Sequence, residues 1–221
     1  MNRLKEKMSE KIENEFSANL LEWFEKFGGH DLPWQHNITP YRVWVSEIML
    51  QQTQVKTVIP YYTKFMKSFP TILDLANATQ DQVLSHWAGL GYYARGRNLH
   101  KAAQLIVTEY DGEFPKKYDE IIALSGIGRS TAGAILSIAL QQRYAILDGN
   151  VKRVLSRYFA VEGWPGEKSI ENQLWLKADE LTPKKRFADY TQAIMDLGAT
   201  LCTRSKPSCD VCPQNKTCQA F

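Results

Sequence analysis

Apolar residues recur at helical spacing along most of the chain, and glycine and proline fall between these segments. No segment alternates apolar and polar residues as a half-buried strand does. The pattern therefore predicts an all-α fold with short connections. The predicted helices span 17–27, 41–50, 53–69, 72–77, 80–88, 94–110, 117–124, 131–140, 150–161, 170–180 and 187–202.

Three helix starts are predicted from side chains that cap exposed backbone N–H groups. Ser17 is expected to begin the first helix, and Thr53 the third. Thr39 precedes Pro40, a proline suited to the first position of a helix, so the second helix is expected to begin there. Residues 1–16 alternate lysine and glutamate and are expected to form a frayed or solvated helix.

Size and composition indicate an ordinary globular protein. The 221 residues suffice for a full core, and 44% hydrophobic with 23% charged residues is usual for such a chain. No apolar run approaches the roughly 20 residues that a membrane span needs. The N-terminus also lacks the apolar core of a signal peptide. We therefore expect no membrane association and an intracellular, cytoplasmic location.

Charge is informative through its distribution, because the net charge is only +3. The stretches 90–108 and 121–147 hold basic residues and no acidic one, and 184–216 is basic again. Separated stretches of this kind either converge on one phosphate-binding face or reflect ordinary charge scatter. Charge alone leaves both interpretations open.

A glycine-rich turn lies between two predicted helices, at 124–130. Gly126 and Gly128 allow a tight turn whose backbone N–H groups face outward and bind a phosphate without reading sequence. Ile127 is expected to anchor the turn in the core, and a Cβ at Gly128 to strain it. The alternative is an ordinary corner between two helices, which a lone G-x-G favours.

Two carboxylates stand in contrasting settings. Asp148 follows an apolar run and begins a helix, where the helix dipole favours its ionised form. A fixed anion of this kind stabilises a cationic sugar, although a plain N-cap is the simpler interpretation. Glu47 lies within the apolar helix 41–50 and is either on its outer face or half-buried with a raised pKa. One acid and one anion together suit the cleavage of a glycosidic bond.

Four cysteines lie within seventeen residues at Cys202, Cys209, Cys212 and Cys218, with six, two and five residues between them. In a reducing compartment they are more plausible as metal ligands than as disulfides. Zinc ribbons usually have two separate C-x-x-C pairs, and only one such pair occurs here. A cluster held by four cysteines fits at least as well. Structural zinc stays the alternative on spacing alone.

These features, in this order, resemble the endonuclease III superfamily of DNA glycosylases. That superfamily combines a helix–hairpin–helix, a downstream turn with a catalytic aspartate, and C-x6-C-x2-C-x5-C for a [4Fe–4S] cluster. Within it the chain is most similar to the adenine DNA glycosylase branch (MutY type), over about 17–218. The segments that carry the resemblance are 32–35, 44–55, 89–95, 145–153 and 195–199.

The resemblance implies roles for individual residues. Glu47 corresponds to the acid that protonates adenine and then activates water, and Asp148 to the anion that stabilises the oxocarbenium sugar, with Asn150 beside it. Residues that wedge into the base stack while adenine is flipped out correspond to Gln52, Leu90 and Tyr92. Residues of the base pocket correspond to Trp34, Gln35 and Gln192. Further DNA contacts correspond to Gly126, Gly128, Ser130 and Lys152.

The resemblance also implies the organisation and the reaction. A six-helix lobe is expected at 32–144, with the hairpin at about 117–140, and a [4Fe–4S] lobe at 1–31 plus 145–221, with the catalytic cleft between them. The partner is double-stranded DNA in which adenine is mispaired with 8-oxoguanine or guanine, bound by a monomer. Ser130 stands where lyases of the superfamily have a lysine, which implies a monofunctional hydrolase. The sequence ends at Phe221, so no 8-oxoguanine recognition domain is expected.

Two other functions stay open at this point. One is a glycosylase for T:G mispairs or oxidised pyrimidines on the same scaffold, against which Gln35, Gln192 and the wedge sequence favour adenine. The other is a cluster-bearing DNA-binding module without enzymatic activity. The presence of both Glu47 and Asp148 in matching motifs favours an enzyme.

Overall fold

The computed structural model describes residues 2–29 and 31–221, with side chains from Glu15 onward. These residues form helices and no strand, so the predicted all-α fold is confirmed. The α-helices are α1 Asn2–Phe27, α2 Pro40–Leu50, α3 Val55–Ser68, α4 Ile72–Asn77, α5 Gln80–Ser85, α6 Ala94–Glu109, α7 Tyr118–Ile122, α8 Arg129–Ala134, α9 Gly149–Tyr158, α10 Lys168–Leu181 and α11 Phe187–Thr200. Short 3-10 helices occupy Pro33–Gln35 and Cys209–Val211, and a π-helical turn, Ile135–Ala139, continues α8.

The predicted start of α2 is confirmed, and the other two predicted caps are wrong. Thr39 Oγ1 accepts the Arg42 N–H at 3.2 Å, with Pro40 at the first helical position. Thr53 instead donates its hydroxyl to the Gln51 carbonyl, and α3 begins two residues later. Ser17 lies buried inside α1 rather than at its start, because the preceding lysines and glutamates are good helix formers that continue the helix.

The chain divides into two compact units. Unit 1 combines Met1–Gly29 with Gln141–Phe221, and unit 2 consists of His30–Leu140. The boundaries expected from the sequence were 31/32 and 144/145. Each unit has its own apolar core.

Unit 2 is built around α2, which packs against α3, α6 and α8. Trp44 of α2 is fully buried, and its ring meets Phe114 edge-on with 5.6 Å between the ring centroids. The core also buries large side chains from the helices and from the turns between them, and each such side chain stabilises the fold by about 1.5–3 kcal/mol. Among these are Met49, Tyr62, Phe65, Trp87, Leu99, Ile106, Ile121 and Ile135.

Unit 1 joins the two ends of the chain, because α1 packs against α10 and α11, and α9 packs against the same two helices. Phe16 of α1 is fully buried against Tyr158 of α9, with 4.7 Å between the ring centroids. The buried Gln214 amide donates to the Phe16 carbonyl at 2.8 Å. The far end of α1 is held by an ion pair between Glu25 and Arg186. Segments distant in sequence therefore share one core.

None of the helices in the described ranges combines the length and the apolar character that crossing a membrane requires.

Candidate functional site

Asp148 caps α9 in unit 1, as the sequence predicts. Its carboxylate accepts the Val151 N–H at 2.8 Å, and the Asp148 backbone is extended as an N-cap requires. The apolar residues Ile146 and Leu147 are buried just before it and bring it to the start of the helix. The carboxylate is therefore fixed by local backbone geometry.

Burial and hydrogen bonding act in opposite directions on the Asp148 carboxyl. Burial raises its pKa above the ordinary value, whereas the N–H groups of Val151 and Asn150 and the charge of Arg153 lower it. Burial dominates, so the pKa of Asp148 is raised. The sequence predicts that the helix dipole holds the anion, and the structure adds that removal from water outweighs this effect. The charged form is consequently less stable in the folded protein than in water.

Arg153 connects the start of α9 to the end of α11 and to the first cysteine. Its Nη2 donates to Asn150 Oδ1 at 2.8 Å and to the Gly198 carbonyl at 2.6 Å. Its Nε donates to the Cys202 carbonyl at 2.7 Å. Asn150 also packs so closely on Gly198 that a Cβ there would lie 2.6 Å from the Asn150 Cβ. Asn150 is therefore held from two sides.

Lys152, a predicted DNA contact, is ion-paired in the structure. Its Nζ lies 2.6 Å from Glu171 Oε1, and both side chains are about three-quarters buried. The hydrogen bond from Lys152 lowers the pKa of the Glu171 carboxyl, with a further contribution from Lys168. The positive charge of Lys152 is thus balanced within unit 1.

Glu47 lies on α2 in unit 2 and is half-buried. Its neighbours in the helix, Ser46 and Ile48, are buried. Glu47 has a polar or electrostatic contact of its own. Of the two positions open from the sequence, the structure therefore places Glu47 in the half-buried one.

The turn between α7 and α8 has the geometry of a tight hairpin. Gly126 has φ +82°, in the left-handed region, and a Cβ at this position would lie 2.9 Å from the Asn98 Cβ. Ile127 is buried, which confirms the predicted anchor. Gly128 has φ −96°, and a Cβ there would meet nothing within 4 Å, so the predicted strain at Gly128 is wrong. Ser130 is half-buried in the first turn of α8.

The three residues predicted to act as the wedge occupy two loops of unit 2. Gln52 and Tyr92 have left-handed backbones, with φ 56° and 51°. Both side chains are exposed, Tyr92 by 59%. Leu90 differs, because its side chain is only 6% exposed. Two of the three side chains therefore face solvent in this structure.

The predicted pocket residues lie in different units. Trp34 is buried in the 3-10 helix of unit 2, and its ring meets Tyr62 edge-on at 5.4 Å between centroids. Burial raises the pKa of Tyr62 to about 12. Gln35 Oε1 accepts the Leu32 N–H at 3.0 Å and so closes the same turn. Gln192 lies half-buried on α11 of unit 1.

All four cysteines line one cavity of about 170 Å³ in unit 1. None forms a disulfide, and each is half-buried. Burial raises the pKa of the Cys212 thiol, and the charges of the other three cysteines add to this effect. Arg157 Nη1 lies 3.4 Å from Cys202 Sγ. No group of three or more His, Cys, Asp or Glu among the described residues is gathered closely enough to hold a single metal ion.

A family model described as the HhH-GPD superfamily of base excision DNA repair proteins matches residues 45–180, more than half of the chain. The chain belongs to this HhH-GPD superfamily. The matched region includes Glu47, the hairpin and Asp148, and it ends before the first cysteine.

Curated relatives carry the name adenine DNA glycosylase. The protein of Buchnera aphidicola subsp. Acyrthosiphon pisum is 51% identical over 205 residues, which are 93% of this HhH-GPD chain and 59% of the relative. The human protein is 45% identical over 93% of this chain and 39% of its own length. The chain thus spans about three fifths or less of the length of these relatives.

Solved structures of the same fold agree with the helical architecture. A thermostable thymine-DNA glycosylase superposes with a TM-score of 0.86 at 26% identity, over 96% of this HhH-GPD chain and 97% of that protein. An endonuclease III in a non-covalent complex with DNA superposes with a TM-score of 0.77 at 20% identity, over 96% and 95% of the two chains. At the latter identity the likeness concerns the fold alone.

Arg153, which contacts Asn150, Gly198 and Cys202, is not among the site residues predicted from the sequence of this HhH-GPD chain. Two of these partners are backbone carbonyls, which every residue carries and which leave no mark in the sequence. The one available signal is its position five residues after Asp148, in the first turns of a helix whose start is known.

The hairpin glycines are expected to differ in their tolerance of a side chain. Gly126→Ala should lower the free energy of unfolding by about 1–3 kcal/mol, because it places a Cβ in a left-handed backbone. The Cβ would also approach Asn98. Urea denaturation followed by circular dichroism measures the change. Gly128→Ala is the matched control and should stay close to wild type, and an equal loss in both variants would contradict this assignment.

Proposed function

We propose that this HhH-GPD chain is a monofunctional adenine DNA glycosylase that hydrolyses the N-glycosidic bond of adenine mispaired with 8-oxoguanine or guanine. The observation that carries the proposal is the half-buried Asp148 carboxylate, held by backbone N–H groups at the start of α9. The 45–51% identity with relatives named adenine DNA glycosylase supports the choice of base.

The two carboxylates divide the chemistry between them. Glu47, in its acid form, donates a proton to a ring nitrogen of adenine as the bond between that base and the sugar C1′ breaks. The bonding electrons leave with the base, and Asp148 stabilises the positive charge that remains on the sugar. Water then adds to C1′ and returns a proton to Glu47. The products are free adenine and an abasic site.

Asn150 positions the substrate or the attacking water beside Asp148. Its side-chain oxygen is engaged by Arg153, which leaves its amide N–H groups as the donors available to a ligand. A carboxylate withdrawn from water interacts more strongly with a nearby cation than an exposed one does. The raised pKa of Asp148 has the same origin, since both follow from burial.

The HhH-GPD hairpin and the exposed loop residues supply the DNA contacts of this proposal. Backbone N–H groups at Gly126, Gly128 and Ser130 bind a phosphate of double-stranded DNA without reading its sequence. Gln52 and Tyr92, with Leu90, enter the base stack as adenine is extruded, at a cost of a few kcal/mol for unstacking. The extruded base is received by Trp34, Gln35 and Gln192.

Both carboxylates are expected to be essential for base release. Asp148→Asn retains an oxygen for the α9 cap but removes the charge, so release of adenine should fall by about 10²–10³-fold or more. Glu47→Gln should also abolish release, because an amide neither donates the proton nor activates water. The assay uses duplexes with A opposite G, A opposite 8-oxoguanine and T opposite G, followed by alkali to cleave abasic sites.

The control is Asp81→Asn, which alters an exposed carboxylate in the first turn of α5 and should leave the rate of release unchanged. Release of thymine in place of adenine would instead favour the thymine-type reaction, the activity named for the structural neighbour at TM-score 0.86. Duplex binding with no base release from any substrate would indicate a non-enzymatic module.

The cysteine-lined cavity supports a [4Fe–4S] cluster held by Cys202, Cys209, Cys212 and Cys218. A single zinc ion lies about 2.3 Å from each thiolate and needs no further room. Among the described residues no three of the cysteines are gathered closely enough for one such ion, whereas all four line the same cavity of about 170 Å³. Its remaining lining is largely apolar, with Val154, Leu197 and Leu201 among it. The cluster is structural in this proposal, because all four of its positions are filled by protein thiolates.

Metal analysis tests the cluster directly. Purified protein should contain about four irons and four inorganic sulfides per chain, with a broad visible absorption. Cys212→Ser should lower the iron content, the solubility and the binding of duplex DNA. One zinc ion per chain without sulfide would contradict the proposal, whatever the enzymatic activity.

We expect little strand cleavage, because neither Ser130 nor Lys152 offers an available amine for Schiff-base chemistry. Ser130 stands where the lyases of the superfamily carry a lysine, and a hydroxyl forms no Schiff base with a sugar aldehyde. Lys152, four residues after Asp148, is engaged with Glu171 at 2.6 Å. An amine that is held in this ion pair is not available to attack the sugar.

Borohydride trapping measures how much covalent chemistry accompanies base release. In the parent protein, trapped complex should form much more slowly than free adenine, and strand scission without alkali should be weak. Glu171→Gln removes the counter-ion of Lys152, so any trapping should increase in that variant, while Lys152→Met should abolish it. Trapping in the parent that keeps pace with adenine release would identify a true lyase.

A further inference from the structure

Arg95 is a buried cation in the first turn of α6, only 9% exposed. Burial lowers the pKa of its guanidinium. Throughout the part of the chain that the structure describes, no carboxylate pairs with it, and its charge is met by carbonyl oxygens and ring faces. The guanidinium carbon lies 5.7 Å from the centroid of the Trp87 ring and 5.4 Å from that of Tyr92.

One guanidinium nitrogen binds the end of α2, the helix that carries Glu47. Nη1 donates to the carbonyls of Ile48 at 3.0 Å and Met49 at 2.9 Å, and also to the carbonyl of Gln51. The last carbonyls of a helix have no partner within it and form the negative end of the helix dipole. The guanidinium of Arg95 donates hydrogen bonds to these carbonyls, and its positive charge stabilises the negative end of the dipole.

The other nitrogen binds the loops that follow α2 and precede α6. Nη2 donates to Thr53 Oγ1 at 3.1 Å, to the Leu90 carbonyl at 3.4 Å and to the Gly91 carbonyl at 3.2 Å. One planar group thereby joins 48–53 to 90–92. We call this arrangement, Arg95 with these two segments, the Arg95 clasp.

Both segments of the clasp contain residues with left-handed backbones. Gln52, Gly91 and Tyr92 have φ values of 56°, 73° and 51°. Residues other than glycine adopt this conformation only where the surrounding structure imposes it. The clasp supplies that constraint, since Arg95 binds Gln51 and Thr53 on either side of Gln52, and Leu90 and Gly91 just before Tyr92.

We propose that Arg95 is a positioning residue that holds Gln52 and Tyr92 in the arrangement in which they enter the base stack. Arg95 itself is buried, so it acts through the two segments that it binds. Because the wedge residues are already ordered before DNA binds, less of the binding free energy is used to order them. More of it is then available for extruding the base. This inference rests on the proposed function, because it assigns part of the extrusion step.

The test uses a variant that keeps the charge and loses the planar fork. Arg95→Lys leaves one nitrogen with three donors in place of two nitrogens that share six acceptors. The matched control is Arg97→Lys, the same change at an exposed position of the same helix. Thr53→Val is a milder second variant, which removes one acceptor of the clasp and stays informative if Arg95→Lys folds poorly.

Adenine release is measured in single turnovers from two duplexes, one with adenine opposite guanine and one with adenine in a bulge that needs little extrusion. Arg95→Lys should lower release from the mispair at least about tenfold more than from the bulge, since extrusion costs energy only in the mispair. Binding should stay within about threefold, because phosphate contacts dominate affinity. Thr53→Val should lower the ratio of the release rate from the mispair to that from the bulge by less. Arg97→Lys should leave this ratio unchanged.

A second measurement reports extrusion without chemistry. With 2-aminopurine in place of the adenine, wild type and Arg97→Lys should increase its fluorescence on binding, and Arg95→Lys should not. Equal losses on the two duplexes, or an unchanged ratio in both clasp variants, would overturn the inference. If wild type released adenine from neither duplex, the proposed function would fail, and the fluorescence comparison would still decide whether the clasp promotes extrusion.

Discussion

The Asp148 carboxylate is half-buried at the start of α9, and opposing effects act on its charge. Two backbone N–H groups and Arg153 favour the charge, and burial opposes it and dominates. Because the pKa is raised in the folded state, the carboxyl contributes stability only at low pH. That contribution is lost as the pH rises through the folded pKa, so the ionised site carries a stability cost at neutral pH. The rest of unit 1 must offset this cost.

Close packing and hydrogen bonds at the contact between α9 and α11 offset the stability cost of the Asp148 charge. Gly198 has no side chain, and Asn150 fills the space that a Cβ would need. The close approach lets Arg153 reach the carbonyls of Gly198 and Cys202 at 2.6 and 2.7 Å while it holds Asn150. Stability lost at one buried charge is thus balanced by packing and by hydrogen bonds to the backbone around it, a division often found at functional sites.

Arginines with carbonyl partners recur in both units. Arg95 binds the end of α2, Arg143 binds the Thr182 and Asp179 carbonyls at the end of α10, and Arg157 binds the carbonyls of Thr203 and Arg204. Guanidinium is always charged and offers five donors in a plane, so it satisfies several carbonyls that no helix or strand pairs. In a fold whose described residues contain no strand, these side chains hold the connecting loops in place.

The sequence predicts well what depends on neighbouring residues. Asp148 and Thr39 were identified as caps because an N-cap is a contact within three residues, and Ile127 as an anchor because its neighbours are glycines. Ser17 failed because it lies in a helix that the preceding polar residues extend, and Thr53 because its hydroxyl bonds Gln51 and Arg95 instead. Burial at Leu90 and open space at Gly128 depend on the tertiary fold and were beyond any local pattern.

The structural unit that contains Asp148 extends beyond residue 180, where the family match ends. Residues 201–221 have little secondary structure of their own, and contacts with α1 and α9 hold them in unit 1. Gln214 donates to Phe16, Gln219 donates to the Tyr158 carbonyl at 3.0 Å, and the Cys202 carbonyl accepts from Arg153. The cysteine segment is therefore part of the core that holds Asp148, because the helix that begins at Asp148 also binds the segment's first cysteine.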